Sequence, residues 1–540
     1  SRGLGDVYKR QLLRYDTVDT HGIYHAFALV VTEHVHDKLP DRGPVLYYMP
    51  TAEGCLEAST TRAPGCSLWI YTDEKGKSHV FWRFKIEVQL LDVPQLVKYL
   101  IPGAKDAAEF HVPALQANFR WAAYSCSGFS TSVDQDEWGG ADPMWRDLLA
   151  QHAQQPFHML MGGGDQRTFS KMYLTTVYND KVAQEPELSE VLKPIEGDKA
   201  NKAPVTPEIE SAIDRFFFFN YITCFGSGAF AKATAQIPMV NMLDDHDLID
   251  GFGTYPDDLM LAPVFNRIGS RGYFFYLLFQ QFINDEVDGV SNTDTSRANP
   301  TPFRSMIIGG PGAYIPYPTH SLMVWLGPKQ AMLLIDCRAQ RKITQICAAD
   351  TYKRCFEAIK ELPSSVEHLI VQLGVPISYP RMVYLEKILS SNNPFIKLIK
   401  RFVPAFTNNF NGQVELLDDL NDHWCAQPHK SERNKFIEQM QALAILQHVR
   451  ITFISGDVHA GGCGVFFSAG LPRYKPINDP KYMLAVITSA IVNAPPPGPV
   501  ISIVNRLAGR KHHSLHYTGT HEEMLPLFEK GLDDKNSRLK

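Results

Sequence analysis

The sequence contains no uninterrupted apolar run of the roughly 18 residues that a membrane-spanning helix requires. Its most apolar stretch, residues 272–283, includes Gln280 and Gln281 and is therefore predicted to be a buried helix. Cysteine is scarce, with nine residues in 540, and this odd, dispersed set does not suggest a disulfide framework. A reducing compartment is favoured. We therefore predict a cytoplasmic protein without a transmembrane segment, compatible with peripheral membrane association.

Neither sign of charge dominates the sequence. The 53 basic and 58 acidic residues give a net charge of −5, without a basic excess or an acidic block. We therefore expect no nucleic-acid partner and no disordered acidic tail. The hydrophobic fraction of 44% is typical of a globular chain, and 540 residues suffice for two or three domains.

The organisation of the chain changes along its length. Residues 1–19 are interpreted as a non-native or disordered leader, because residues 1–11 resemble translated cloning-adapter sequence. Short strand-like segments separated by turns predict an all-β N-terminal domain over residues 20–115. Strands then alternate with helices over residues 116–505, which predicts an α/β domain, and residues 506–540 are predicted to be a polar tail.

Polar side chains follow the apolar strands of this α/β domain at the points where the strands end. They are Cys126, Asp165, residues 244–247, residues 336–338, and Asp457 with His459. In a layered α/β sheet the carboxyl ends of the strands lie along one edge, where ligands bind. Each Asp alone could instead cap the following helix, but several such residues along one edge favour a shared site.

The chemistry of these side chains is that of a metal centre. Carboxylates and an imidazole suit ions such as Mn, Zn, Fe or Ca, and a thiolate at Cys126 favours Fe or Zn. Asp165 could bridge two ions about 3.5–4 Å apart, which can activate a water and neutralise a phosphoryl group. His246, beside Asp245, is placed to protonate a leaving oxygen, and the alternative is a core histidine.

Two arginines, Arg338 and Arg341, follow the strand at residues 331–335. A guanidinium group can bind two phosphate oxygens at once, so both residues are candidates for holding the substrate. The alternative is that each forms a salt bridge at the surface or between helices.

Three motifs occur in a fixed order, together with shorter matches around them. They are Gly-Gly-Asp-Gln at residues 163–166, Leu-Asp-Asp-His-Asp at residues 243–247 and Gly-Asp-Val-His at residues 456–459, with Ser-Cys-Ser-Gly at residues 125–128 and Asn-Asp-His-Trp at residues 421–424. With these motifs the chain resembles the metallophosphoesterase superfamily, specifically the PhoD-like phosphatases and their fungal-type members. The resemblance covers roughly residues 80–500.

The resemblance implies a four-layer α/β/β/α metallophosphatase sandwich preceded by a small all-β domain. It also implies hydrolysis of phosphate mono- or diesters at a centre of two or more divalent or trivalent ions, of Fe, Ca, Mn or Zn. The predicted metal ligands are Cys126, Asp165, Tyr178, Asp244, Asp245, Asp457 and His459, and the predicted catalytic residues are His246, Arg338 and Arg341.

One departure from the family pattern lies inside the predicted metal loop. Ten residues, 167–176, separate Gln166 from Val-Tyr-Asn-Asp at residues 177–180, which directly follow Gly-Asp-Gln in the family pattern. A ligand such as Tyr178 that moves by about 1 Å can cost two orders of magnitude in rate. An alternative function is therefore a catalytically impaired scaffold or binding protein of this fold. A binuclear hydrolase of another ester or amide is a third hypothesis.

Overall fold

The computed structural model describes residues 8–35, 43–54, 59–102, 107–129, 133–165, 202–288, 303–380, 422–470, 476–496, 498–509 and 515–526. Tyr178 and residues 167–176 lie outside this part of the chain. The described strands are β1 (Tyr8–Val18), β2 (Ile23–Val35), β3 (Val45–Ala52), β4 (Thr61–Pro64), β5 (Cys66–Thr72), β6 (Lys77–Gln89), β7 (Gln95–Leu100), β8 (Ala108–Val112), β9 (Trp121–Tyr124), β10 (Met159–Gly162), β11 (Met239–Asn241), β12 (Met306–Pro311), β13 (Pro318–Trp325), β14 (Gln330–Leu334), β15 (His368–Gln372), β16 (Arg450–Ser455), β17 (Gly462–Ser468), β18 (Met483–Ile487) and β19 (Thr520–Met524).

The described helices lie between these strands in the sequence. They are α1 (Pro143–Gln154), α2 (Pro207–Cys224), α3 (Gly228–Gln236), α4 (Asp257–Met260), α5 (Pro263–Tyr276), α6 (Asp285–Asp288), α7 (Ala349–Lys360), α8 (Lys430–Gln447) and α9 (Gly498–Ala508). A π-helical turn, Leu277–Gln281, continues α5. Within the described ranges, none of the helices has the length and apolar character that crossing a membrane would require.

Three sheets organise the strands. The first large sheet has the order β5-β6-β2-β1-β11-β10-β9, and the second has the order β12-β13-β14-β15-β16-β18-β17-β19. A smaller sheet has the order β4-β3-β7-β8. Strands β1, β11, β10 and β9 are parallel, as are β14, β15, β16 and β18. The carboxyl ends of each parallel set therefore lie along one edge of its sheet.

Alternating side chains place the second sheet between two cores. Met332 and Leu334 of β14 pack in the larger core, which also contains the first sheet, α2 and α5. The intervening Leu333 packs on the opposite face in the second core, with α7 and α8. Adjacent strand residues point to opposite faces, so this alternation is what a sheet covered on both sides requires. The predicted four-layer α/β/β/α architecture with a β-rich N-terminal part is confirmed.

The N-terminal strands differ from the expected separation into a leader and an independent domain. Tyr8–Val18, expected within the leader, forms β1 in the interior of the first sheet, paired with β2 and β11. Leu13 and Tyr15 are fully buried there. The apolar pattern of this strand is broken by Arg14 and Asp16, which are also buried, and this conceals it in the sequence. The proposed boundary at residue 115 divides the first sheet, since β9, β10 and β11 follow it.

The expected polar tail also contains ordered structure. Thr520–Met524 forms β19, which pairs with β17 at the end of the second sheet. Its Glu522 forms a buried salt bridge with Arg433 of α8. The tail is therefore attached to the second core by an edge strand and an ion pair.

Two histidine rings accept hydrogen bonds from backbone N–H groups near the start of β10. His158 Nδ1 accepts the Arg120 N–H at 2.9 Å, and the His158 N–H donates to the Arg120 carbonyl at 2.7 Å. His152 Nδ1 accepts the Phe157 N–H at 3.0 Å. Both rings are therefore neutral, with the proton on Nε2. Burial, reinforced by His111 and Arg120, lowers the pKa of each of these two histidines to about 4.

This arrangement predicts a stability that falls in weak acid. In the unfolded chain a histidine has a pKa of about 6.5, so only the unfolded state gains a proton as the pH falls from there towards 4. The variant His158→Asn keeps an acceptor near the position of Nδ1 but does not titrate. From pH 7 to pH 5, the free energy of unfolding should fall less in this variant than in the wild type. We expect the two decreases to differ by about 2 kcal/mol, measured by urea denaturation. His448→Asn, at an exposed helix end, is the control and should behave as the wild type; an equal fall in His158→Asn would contradict the prediction.

Candidate metal centre

The carboxyl ends of the parallel strands in the two large sheets meet. Ser125, directly after β9, forms a parallel bridge with Ala490, which follows β18 in the other sheet. The Ile491 N–H donates to the Ser125 carbonyl at 3.0 Å. Gln372, at the end of β15, donates to the Gly163 carbonyl, after β10, at 3.4 Å. The two sheets are thus joined at the edge that carries the predicted site residues.

Four of the predicted ligands form a carboxylate cluster at this edge. Asp165 follows β10, Asp244 and Asp245 follow β11, and Asp457 follows β16. One oxygen of each of these four residues can be chosen so that all lie within 4.8 Å of one another. Asp165 and Asp245 form a second such group with a ring nitrogen of His246. Residues far apart in the sequence therefore converge on a volume that one or two metal ions could occupy.

The backbone of several predicted ligands adopts an unusual conformation. Cys126, Asp165, Asp457 and His459 have left-handed φ values of 52°, 56°, 72° and 52°. For residues other than glycine this conformation costs on the order of 1 kcal/mol or more, and it is concentrated at functional sites. The loops at this edge therefore have a locally strained backbone at four of the predicted ligands.

Two glycines allow neighbouring loops to approach Asp244. A Cβ atom added to Gly374 would lie 2.6 Å from Asp244 Oδ1, and one added to Gly164 would lie 2.4 Å from Asp244 Cβ. Gly164 also has a φ of 107°, which L side chains rarely adopt. Any larger residue at either position would displace this carboxylate.

The hydrogen bonds of the cluster leave acceptors without protein donors. Asp165 Oδ1 and Asp244 Oδ2 are buried and have no hydrogen-bond partner among the described residues. Asp245, in contrast, accepts the Gly251 N–H at 2.7 Å and the His246 N–H at 2.9 Å. Buried polar atoms are normally paired, and oxygen atoms that lack donors are suited to hard cations.

The electrostatics of the cluster also favour a cation. Burial, together with the neighbouring carboxylates, raises the pKa of Asp165 and of Asp457 well above the usual range. Burial raises the pKa of Asp244 to about 7, although Arg338 acts to lower it. Acidic groups this close to one another cannot all ionise without a counter-charge. A divalent or trivalent ion would supply that charge, so the donor set fits a metal.

Cys126 lies against this cluster. Its Sγ is 3.4 Å from Asp165 Oδ2, and the residue is fully buried. Burial, with Asp165 and Asp457 nearby, raises the pKa of the thiol well above its usual value. The free thiol is therefore protonated, and a thiolate would form here only beside a cation.

The two histidines of the site differ in charge. His246 Nε2 lies 3.9 Å from Asp250 Oδ1, and its Nδ1 has no hydrogen-bond partner in the described part of the chain. Burial acts to lower the pKa of His246, but Asp245 and Asp250 outweigh it and raise the pKa to about 10. Burial and the nearby His246 lower the pKa of His459 to about 4. His246 can therefore donate a proton, whereas neutral His459 can act as a ligand; its Nε2 is 3.4 Å from Asn493 Nδ2.

The structure places both predicted arginines in the interior rather than at the surface. The two Nη atoms of Arg338 donate to the two carboxylate oxygens of Asp422 at 2.6 Å, and its Nε donates to Asp244. Arg341 Nη2 lies 2.9 Å from Asp422 Oδ1. Arg341 Nε and Nη1 have no partner among the residues that the structure describes. Arg338 is thus engaged by carboxylates, and Arg341 retains donors for an anion.

Two acidic residues at the site were not among the predicted ligands or catalytic residues. Asp422 belongs to the Asn-Asp-His-Trp motif at residues 421–424, and that motif is the signal that could have identified it. Asp247 accepts the N–H groups of Asp165 and Asp244. The sequence placed Asp247 among the polar residues that follow the strand, but it was not predicted to be a ligand or a catalytic residue.

The layers of the fold and the carboxylates at the strand ends agree with the family resemblance of the sequence motifs. The sequence profile of the PhoD related phosphatase family matches residues 106–400 and 400–540. The chain is also 34% identical over 499 residues to the Saccharomyces cerevisiae protein described as uncharacterized protein YGR266W, covering 85% of this chain and 68% of that protein. The chain belongs to the PhoD-related phosphatase family. Among solved structures, that of PhoD aligns with 89% of this chain and 77% of its own, at 10% identity and a TM-score of 0.47.

Proposed function

We propose that the chain is a metal-dependent phosphoesterase that hydrolyses phosphate mono- or diesters. The observation that supports this most directly is the convergence of Asp165, Asp244, Asp245 and Asp457 within 4.8 Å, since these residues come from three strand ends in two sheets. Two of the oxygens in this cluster have no protein donor among the described residues. Together these features provide a buried site for cations beside a proton donor.

The proposed ligands divide between two or more ions of Fe, Ca, Mn or Zn. Asp165 is central because it contacts Cys126 and lies within 4.8 Å of the oxygens of Asp244, Asp245 and Asp457. Asp244, Asp245, Asp457 and His459 would complete the set, and Tyr178 is a further predicted ligand outside the described residues. When bound, such ions lower the pKa of a water and neutralise phosphoryl charge.

The remaining residues would act on the substrate or support the ligands. His246 holds a proton in a position next to the cluster and would transfer it to the leaving oxygen. Arg341 has two nitrogens without partners in the described ranges, and these would donate to phosphoryl oxygens. Arg338 binds Asp244 and Asp422, so its proposed role is to hold these carboxylates in place.

The dependence of hydrolysis on the leaving group tests this role of His246. The variant His246→Ala should lower kcat for alkyl phosphates by roughly 10²–10⁴-fold, because an alkoxide needs a proton as it leaves. The loss should be much smaller for nitrophenyl phosphate, whose leaving group is stable without a proton. Phosphate release would be measured with Mn, Zn, Fe or Ca added.

His368→Gln is a matched control, since His368 opens β15 at the opposite edge of the second sheet. It should leave both rates unchanged. An equal loss with both substrates in His246→Ala would contradict the role in proton donation. Tight metal binding without turnover of any phosphate ester would instead favour the impaired scaffold, and turnover of other esters or amides alone would favour the third hypothesis.

A further inference from the structure

The carboxylate of Asp247 connects two of the loops that carry the proposed ligands. Its Oδ2 accepts the N–H of Asp165 and the N–H of Asp244, each at 3.0 Å. Asp165 follows β10 and Asp244 follows β11, which are neighbours in the first sheet. Asp247 itself is fully buried. A single oxygen therefore fixes the distance between the two loops where they leave the carboxyl ends of β10 and β11.

The other oxygen of Asp247 is held from the helical layer. Gln280 Nε2 donates to Asp247 Oδ1 at 2.9 Å, and it also lies 3.0 Å from the hydroxyl of Tyr221. Gln280 belongs to the π-helical turn Leu277–Gln281, and turns of this kind are frequent at functional sites. Both oxygens of Asp247 thus accept from protein donors, whereas Asp165 and Asp244 each have one oxygen without a partner among the described residues.

We propose that Asp247 is a positioning residue of the metal centre, an inference that depends on the proposed function. The bond from the Asp165 N–H offsets the cost of the left-handed backbone at that residue, whose φ is 56°. The bond from the Asp244 N–H sets the distance between the two loops. Without Asp247, two buried N–H groups would be unpaired, and Asp165 would leave the geometry that brings its oxygens towards Asp244 and Asp457.

Binding of Co²⁺ alone tests this inference independently of turnover. In Asp247→Ala we expect the dissociation constant for Co²⁺ to rise by about 10–100-fold, the range seen when residues supporting metal ligands are removed. The visible absorption of the Co²⁺ complex should change as well, because it reports the ligand geometry. Asp247→Asn should rescue both properties. Its amide oxygen can accept the two N–H groups, and Gln280 Oε1, unpaired among the described residues, can accept from its amide nitrogen.

Asp479→Ala is the control for general loss of a buried carboxylate. Asp479 is also buried and accepts the N–H groups of Ser468 and Lys481, at 2.7 Å and 2.9 Å, outside the metal cluster. This variant should lose stability but keep the affinity for Co²⁺ and the spectrum. If Asp247→Ala does not fold, Gln280→Met serves instead, with an expected weakening of roughly fivefold or more, since it removes the Gln280 donor to Asp247 Oδ1.

The outcomes separate this inference from the proposed function. A wild-type chain that binds no Co²⁺ would overturn both. If the wild type binds Co²⁺ and either Asp247→Ala or Gln280→Met binds it with the same affinity and spectrum, only the positioning role fails. Equal weakening in Asp247→Ala and Asp479→Ala would show a loss of stability rather than of positioning, and would also overturn it.

Discussion

Replacing Asp165 with asparagine is expected to lower kcat for phosphate release by roughly a thousandfold or more, while making the metal-free protein more stable. The rate falls because Asp165 contacts Cys126 and shares the carboxylate cluster with Asp244, Asp245 and Asp457. Loss of ion binding there would remove several kcal/mol of stabilisation of the transition state. Phosphate release at saturating metal would be measured for the wild type and for Asp165→Asn.

Without metal, the same variant should be more stable than the wild type, although its rate of phosphate release is lower. The pKa of Asp165 is raised well above its usual range, so the folded state resists ionisation of this carboxyl. The resulting penalty appears as the pH rises through the unfolded pKa of about 3.9, and it is present at pH 8. Asparagine has no charge to bury. In excess chelator at pH 8 we therefore expect Asp165→Asn to have a higher free energy of unfolding than the wild type.

Asp258→Asn provides a control of the same chemistry, since Asp258 is exposed near the start of α4. It should change neither the rate nor the stability. Loss of activity in Asp165→Asn accompanied by loss of stability in chelator would mean that Asp165 supports the fold rather than an ion. That result would contradict the proposed centre.

Removing Arg338 is expected to have the largest effect on stability. Arg338 is completely buried and donates to both Asp244 and Asp422. Burial acts to raise the pKa of Asp422, but Arg338 and Arg341 outweigh it and hold the pKa well below the usual range. In Arg338→Met the carboxylates stay buried and lose this partner. We expect the free energy of unfolding in urea, without metal, to fall by about 3–5 kcal/mol.

A double-mutant cycle distinguishes this ion pair from general packing. Asp422→Asn added to Arg338→Met should cost less than the sum of the single changes, because the second change removes the charge left unpaired. Arg146→Met is the control. The side chain of Arg146 is 72% exposed and pairs with Asp142 on one turn of α1, so its loss should cost less than about 1 kcal/mol. Strict additivity in the cycle would show that the Arg338–Asp422 pair carries little coupling.

The strand ends were predictable from sequence because their signal is local. A short apolar run followed by Gly and Asp appears within about ten residues, as at β16 and Asp457. The parallel pairing of β14, β15 and β16 then brings their carboxyl ends to one edge. General rules for α/β sheets therefore predicted the location of the carboxylate cluster, although not its distances.

Features that depend on distant partners were not visible in the sequence. Arg14 and Asp16 interrupt the apolar pattern of β1. In the fold, however, Arg14 donates to Gln281 and Asp16 accepts from Ser305, each more than 260 residues away. The engagement of Arg338 by carboxylates was hidden for the same reason, since Asp422 is 84 positions further along the chain. Charged residues that are paired in the interior have the same sequence pattern as charged residues at a surface.

The position of a bound ion is the measurement that tests the central claim most directly. Crystals of the chain soaked in Mn²⁺ or Zn²⁺ would be used for an anomalous difference map. The proposed centre predicts a peak roughly 2.0–2.2 Å from oxygens of Asp165 and at least one of Asp244, Asp245 and Asp457. Well-ordered carboxylates without a peak between them, or a peak only at a distant site, would contradict it.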